Sequence, residues 1–339
     1  MPAKEAIEKL FEDFNRKKVL IIGDVMIDAY LWGQVERISP EAPVPIVSVN
    51  KRENRLGGAA NVALNIKSLG AEPILCSVIG NDNKAEEFIQ LLKQDGLTSR
   101  GLIKSDDRIT TTKFRVIGNK MQMLRVDEEV TGDLSDNDIR VIFGKIENML
   151  EHENIACVIF QDYNKGVLTT GLIHEVIKKA NKRNIPVVVD PKKKNFEAYQ
   201  NVSLFKPNLK ELKEGLNVDV DPDNLNEMAN AVQLLHKNQR IHTVMCTLSD
   251  QGVFISYQSS ENKIEYEHIP AHIRSISDVS GAGDTVVSVA ALGYVMGLAP
   301  TLLAGISNLA GGIVCEEAGV VPINKEKLLR ESIKIYATD

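Results

Sequence analysis

The chain has 339 residues, 43% hydrophobic and 25% charged, which are ordinary globular values and enough for one large α/β domain. A formal net charge of −6 excludes a general electrostatic attraction to nucleic acid or to an anionic membrane, so any phosphate it handles must be met by local donors. No apolar run approaches about 18 residues, and Met1–Leu10 is a charged amphipathic pattern rather than a leader, so a soluble, cytoplasmic protein is expected.

Short β-branched runs then alternate with helical patterns. Lys18–Gly23 is the first predicted strand, and Ala29–Val49, with Pro40, Pro43 and Pro45, breaks the rhythm. A helix over Ala59–Leu69, a strand over Pro73–Ile79 and a helix over Lys84–Asp95 follow. Ile109–Val126 alternates on either side of Gly118-Asn119 and reads as a hairpin, with Gly-Asn supplying the positive φ angles of a tight turn. Strands are next expected over Ile155–Phe160, Pro186–Val189, Val202–Phe205 and Thr243–Thr247, with helices over Gly171–Arg183, Leu225–Asn238 and Val286–Leu298. This alternation predicts an α/β fold with a mostly parallel sheet flanked by helices on both faces. The two segments that break it, about 29–49 and 109–126, form a small β-sheet lid inserted into a single domain spanning 1–339.

Cys76, Cys157, Cys246 and Cys315 sit in separate apolar runs without a CxxC pair and read as buried free thiols. His268 and His272 flank Pro270 and make no trustworthy metal pair.

Polar clusters fall just after the predicted strands, where ligands collect in open α/β sheets. They are Gly23-Asp24 with Asp28, Asp162 to Gly166, Asp190-Pro191-Lys192 and Lys206 to Glu211; Gly57 to Asn61 opens a helix beside them. The most informative stretch is Asp278-Val279-Ser280-Gly281-Ala282-Gly283-Asp284-Thr285. Its glycines open a helix whose first unpaired amides and dipole attract a phosphate, and Asp284 stands among them, placed to take a proton from an attacking hydroxyl. Alone, this pattern is equally a glycine-rich helix start capped by an acid. The other clusters decide for a polyhydroxyl and phosphate site. Asp24, Asp28 and Asn61, short acceptors and an amide near the glycine turn at Gly57 and Gly58, suit sugar hydroxyls.

Over nearly its whole length the chain resembles the ribokinase (PfkB) family of carbohydrate kinases. Gly57-Gly58-Ala59-Ala60-Asn61-Val62-Ala63 resembles the family's N-terminal glycine motif, Asn208-Leu209-Lys210-Glu211 its NxxE motif, and Asp278 to Asp284 its DTxGAGD motif, with Val279 where threonine is usual. The resemblance implies Asp284 as general base, with Gly281, Ala282 and Gly283 holding the transferring phosphoryl group. It implies ATP and Mg²⁺ at Asn208, Leu209, Lys210 and Glu211, with Glu211 reaching the metal through water. Thr247 and Gly252 would lie under the nucleotide and Asn308 near the adenine. Asp278 and the carbonyl of Ser280 resemble the family's monovalent-cation loop, a place for K⁺. No Walker A pattern or dinucleotide fingerprint occurs.

Within the family, Asp24 to Gly33, Arg37 to Pro45, Leu124 to Asp127 and Asp162 to Thr169 are most similar to the D-glycero-D-manno-heptose-7-phosphate kinases, and the resemblance implies Arg37 among the substrate-binding residues. The resemblance implies phosphorylation of the anomeric hydroxyl by ATP, giving a heptose 1,7-bisphosphate, and a homodimer formed through the β lid. It also implies a free-standing kinase, since the chain leaves no room for a fused nucleotidyltransferase. A sugar already phosphorylated at its far end needs cations there, and Arg115, Lys113 and Lys192 to Lys194 are the candidates. Fructose 6-phosphate or ribose is the alternative acceptor, and a sugar-binding regulator without turnover the alternative of another class.

Overall fold

The computed structural model describes residues 2–259, 261, 263–272 and 274–338. In chain order, α1 (Lys4–Asp13) leads into β1 (Lys18–Gly23), and β2 (Val25–Ile38) and β3 (Pro45–Gly58) follow as a long hairpin. Next come α2 (Ala59–Ser68), β4 (Glu72–Gly80), α3 (Asn83–Gln94), β5 (Leu102–Ser105), β6 (Thr112–Gly118), β7 (Met121–Glu128) and α4 (Asp136–His152). The middle holds β8 (Cys157–Gln161), α5 (Thr170–Lys182), β9 (Val187–Asp190), β10 (Leu204–Phe205), α6 (Leu209–Leu216) and α7 (Leu225–Leu234). β11 (Thr243–Thr247), β12 (Val253–Gln258), β13 (Ile264–Ile269), α8 (Ala282–Val295), α9 (Pro300–Val314) and α10 (Lys325–Tyr336) complete it.

Among the described residues one sheet has the order β13-β12-β11-β10-β9-β8-β1-β4-β5. It is parallel from β11 to β5, with β12 and β13 added antiparallel at one edge. Side chains alternate across a strand, so neighbouring residues feed opposite cores. Val19 and Ile21 of β1 pack with α1, α2, α3, α8 and α9, whereas Leu20 and Ile22 pack with α4, α5 and α7. Strands buried on both faces are near-continuous apolar runs, and this is why the short β-branched segments were legible. Helix starts follow the capping rule: Asp82, Ser135, Thr169 and Asn324 each accept a backbone N–H of the first turn. No helix among the described residues is long and apolar enough to cross a membrane.

The second sheet has the order β3-β2-β6-β7, with β2 and β6 parallel and the outer pairs antiparallel. It is larger than expected, since the first hairpin runs from Val25 to Gly58 rather than from Ala29 to Val49. The β6–β7 turn also differs by one residue: the positive φ angles fall on Asn119 (51°) and Lys120 (66°), not on Gly118. A primed two-residue turn matches strand twist, and Asn119 holds it by bonding to both the N–H and the carbonyl of Val35.

Candidate active site

Adjacent parallel strands deliver their polar clusters side by side. Asp24 follows β1, Gln161 to Tyr163 end and follow β8, Asp190 ends β9, Lys206 to Asn208 follow β10, and Thr247 ends β11. Backbone bonds continue past the strand ends and fix the spacing, from Asp24 N–H to Gln161 O and from Asp162 N–H to Asp190 O.

α8 approaches this row end-on. Gly281, at φ 80°, is its N-cap, and Asp284 lies in its first turn. A left-handed cap favours glycine because any Cβ is strained there. Ala282 N–H makes a long 3.3 Å bond to Val279 O, and Thr285 N–H closes onto Gly281 O at 3.0 Å, which leaves the Gly283 and Asp284 amides without helical partners. A Cβ on Gly283 would meet nothing nearer than Lys206 Nζ at 3.9 Å and Asp190 Oδ2 at 4.0 Å. The space over the helix end is therefore open to an anion.

Asp284 is 5% exposed and held by three donors. Asn61 Nδ2 donates to Oδ2 at 2.7 Å, while Gln161 Nε2 at 3.1 Å and Tyr163 Oη at 2.8 Å donate to Oδ1. Burial is the main cause that pushes its pKa up, to about 6, and Asp190 adds to it; the Asn61 and Tyr163 bonds and Lys206 pull the other way. The carboxylate is thus ionised at neutral pH yet a stronger base than a free aspartate. Behind it, Asn65 accepts from Thr285 Oγ1 and from Ile323 N–H, which ties α2 to α8.

A cavity of about 850 Å³ opens beside Asp284. Gly281, Ala282 and Gly283 form one wall; Asn208, Leu209, Lys210 and Glu211 form another; Thr247, Gly252 and Asn308 line the far side. The glycine, NxxE and nucleotide residues expected from sequence are therefore brought together. Asn208 and Glu211 make a reciprocal capping box on α6, with Glu211 N–H to Asn208 Oδ1 at 2.8 Å and Asn208 N–H to Glu211 Oε2 at 2.9 Å. Glu211 Oε1 is paired with Lys192. With both oxygens engaged, Glu211 suits a hydrated cation held through water rather than direct ligation. Among the described residues no group of three or more metal-ligating side chains gathers at one place.

The sugar-side residues are placed unevenly. Asp28 is buried and bonded to Arg115, and Arg115 also covers the Tyr30 ring with its guanidinium carbon 5.3 Å from the centroid. Gly57 packs so closely that a Cβ would lie 2.4 Å from Asp28 Oδ2; Gly58, at φ 62°, turns the chain into α2 and Asn61. Three other expectations need correction. Asp24 does not offer its carboxylate to a ligand: both oxygens accept backbone amides, of Tyr163, Lys165 and Val167. Lys192 stands with the phosphate-side groups, on Glu211 and 5.7 Å from the Tyr163 ring centroid, rather than with Arg115. Arg37 is exposed, nine residues beyond Asp28 on β2, so at roughly 3.3 Å per residue it lies about 30 Å along the strand from the site.

Asp278 accepts from Ser280 N–H at 2.9 Å and from Gly319 N–H at 3.1 Å, which fixes the loop before α8. Tyr163, Asp190 and Lys206 were legible only as members of strand-end clusters, and Gln161, the last residue of β8, fell between the predicted strand and its cluster and was missed. Lys206 and Asp190 pair at 3.1 Å, and Gln161 Nε2 bridges Asp190 and Asp284.

An anion-binding helix end, a buried aspartate among its amides and a cleft lined by an NxxE capping box define a phosphotransferase acting on an alcohol. The chain belongs to the pfkB family carbohydrate kinases, whose family model matches residues 16–327. It is 37% identical over 305 residues to the bifunctional protein HldE of Aliarcobacter butzleri, covering 90% of this chain and 62% of that protein. Over 326 residues it is 32% identical to the bifunctional protein HldE of Geobacter sulfurreducens, covering 96% and 65%. The chain thus spans somewhat less than two thirds of the length of these relatives.

Solved structures share the ribokinase-like fold at low identity. Phosphofructokinase-2 from Escherichia coli in complex with potassium superposes with a TM-score of 0.78 at 19% identity, covering 94% of this chain and 98% of that one. Arabidopsis thaliana ribokinase complexed with ribose and ATP superposes with a TM-score of 0.68 at 18% identity, covering 93% and 98%.

Proposed function

We propose that this kinase transfers the γ-phosphate of ATP to the anomeric hydroxyl of D-glycero-D-manno-heptose 7-phosphate, giving the 1,7-bisphosphate and ADP. The observation that carries the kinase chemistry is Asp284, poised by three donors between the nucleotide-sized cavity and the Asp28–Gly57 side. The hydroxyl oxygen attacks the γ-phosphorus, its proton passes to Asp284, and the bond to the ADP oxygen breaks. The Gly283 and Asp284 amides and the α8 dipole meet the negative charge on the transferred group. Glu211 would hold Mg²⁺ through water, and the ion would neutralise phosphate charge there. Lys192, raised in pKa by Asp190 and Glu211 against the lowering effect of burial, stays cationic beside them.

The buried carboxamide oxygens of Asn61 and Gln161, both flanking Asp284, have no partner. Buried acceptors seek donors, and the hydroxyls of a polyol supply them. The choice of a heptose phosphate is supported by the segments resembling heptose-7-phosphate kinases and by relatives matching nine tenths of the chain. Arg115 is the cation offered to the distal phosphate. Asp278 and Ser280 form the loop offered to K⁺.

The small sheet would act both as a lid over the sugar and as a homodimer face. Every residue of β7 is exposed, including Met121, Met123, Leu124 and Val126, an uncovered apolar edge of a kind that partner chains cover. Four buried free thiols suit a reducing compartment and a cytoplasmic setting. ADP release measured across heptose 7-phosphate, fructose 6-phosphate and ribose tests the assignment. Turnover confined to fructose 6-phosphate or ribose would overturn it.

A further inference from the structure

The loop after β8 is built around a buried acid that touches no ligand-facing surface. Asp24 Oδ2 accepts the N–H groups of Tyr163 at 2.9 Å and Lys165 at 3.1 Å, and Oδ1 accepts that of Val167 at 3.0 Å. The loop is further set by Asn164 at φ 55° and Gly166 at φ 88°, and a Cβ on Gly166 would fall 1.8 Å from Gly132 O. These three bonds and the close approach at Gly166 hold the segment in place. Its outcome is to place the Tyr163 hydroxyl 2.8 Å from Asp284 Oδ1.

The donors around Asp284 are divided unequally. Oδ1 receives two, from Gln161 and Tyr163, and Oδ2 receives one, from Asn61. A carboxylate oxygen has two lone pairs in its plane, so Oδ1 is saturated and Oδ2 retains one. We infer that Tyr163, held by the Asp24-anchored loop, is a positioning residue that blocks Oδ1 of the general base and directs the proton of the acceptor hydroxyl to Oδ2. Asp24 acts on the reaction through this loop and not through the sugar.

The inference rests on Asp284 being the base, and its test separates the two. The groups facing Asp284 are Asn61 from α2, Gln161 and Tyr163 from the end of β8, Asp190 from β9 and Lys206 from the end of β10, with the Lys192 charge nearby. A donor to the ionised carboxylate favours that form, so removing the Tyr163 hydroxyl raises the pH at which Asp284 takes up a proton.

The experiment is a ¹³C carboxyl NMR titration of the ligand-free, aspartate-labelled protein, with the Asp284 resonance identified by its loss in Asp284→Asn. In Tyr163→Phe the midpoint rises by about one pH unit, a tenfold change in proton affinity. Asp24→Asn moves it in the same direction. An unchanged or lowered midpoint in Tyr163→Phe overturns the inference, and movement in Tyr163→Phe but not in a folded Asp24→Asn overturns the part given to Asp24. The acid limb of kcat/KM, with whichever sugar phosphate the parent turns over, shifts alongside. Should the carboxyl midpoint move while that limb stays put, Asp284 is not the base, and the general-base reading falls although the Tyr163 contact stands.

Discussion

Replacing Asp284 with asparagine should damage turnover and strengthen the fold above pH 6. Loss of a positioned general base lowers kcat by roughly 10²–10⁴. Burial raises the Asp284 pKa from 3.8 to about 6. At about 1.4 kcal/mol per pKa unit, ionising this group in the folded state costs about 3 kcal/mol relative to the unfolded chain. The sign follows from linkage: a raised folded pKa means that the contribution of this group to stability is fully present below 3.8 and is lost as pH rises through about 6. The neutral carboxamide of Asp284→Asn carries no such penalty, but it offers one acceptor where three donors converge, so one donor faces its amide at a cost of about 1–3 kcal/mol at every pH. Urea denaturation of both proteins at pH 4 and pH 8 isolates the pH-dependent part, because the donor conflict cancels. The stability of the variant relative to the parent should rise by about 2–3 kcal/mol between the two pH values. A pH-independent difference would refute the argument from buried charge, and near-parental kcat would refute the assignment of the base.

Three further outcomes follow from the geometry. Glu211→Gln loses the charge that holds Lys192, and the Mg²⁺ concentration for half-maximal rate should rise; a titration unchanged while activity falls assigns Glu211 another role. Arg115→Ala should weaken calorimetric binding of the phosphorylated sugar by about 1.5–3 kcal/mol and leave ATP binding unmoved, whereas Lys192→Ala should act on the ATP side. Parental affinity for the sugar phosphate in Arg115→Ala places the distal phosphate elsewhere. Met121→Glu with Leu124→Glu charges the exposed face of β7; on the proposed interface, sedimentation should show a dimer for the parent and a monomer for the variant, and unchanged sedimentation removes the small sheet as the interface.

The doubly buried parallel strands were legible because each is a short apolar run ended by polar residues, as at Lys18–Gly23 and Thr243–Thr247. The Gly281–Asp284 helix start was legible because it is local, its geometry set within four residues; Asn208–Glu211 was legible as a motif, and the structure adds that it is a capping box. What sequence could not assign were roles set by long-range pairing. Asp24 sits at a strand end like any ligand-binding acid, and only the fold brings the Tyr163, Lys165 and Val167 amides onto it. Lys192 belongs to a lysine triplet indistinguishable from a solvated loop, until β9 and α6 set it against Glu211. The edge strands β12 and β13 were missed, since Val253–Gln258 and Ile264–Ile269 follow no helix and add antiparallel to a sheet that is otherwise parallel.

Asp284 stands where two effects oppose each other. The N-terminus of α8 favours a negative charge by about 0.3–1 kcal/mol, up to about 2 in partly buried settings. Full burial can shift a carboxyl by up to about 3–5 units in the other direction, and each unit is about 1.4 kcal/mol. Burial therefore wins, and the net result is about 6, short of the full burial effect because Asn61, Tyr163 and Lys206 pull the value back. A carboxyl released from these donors would take up its proton at a higher pH and be less available as a base at neutral pH. One exposed to water at 3.8 would be a weaker base by about two powers of ten, the difference between the two pKa values. The bonds from Tyr163, on the Asp24-anchored loop, and from Asn61 thus hold the Asp284 pKa down against burial, in the range where the group is both ionised and basic at neutral pH.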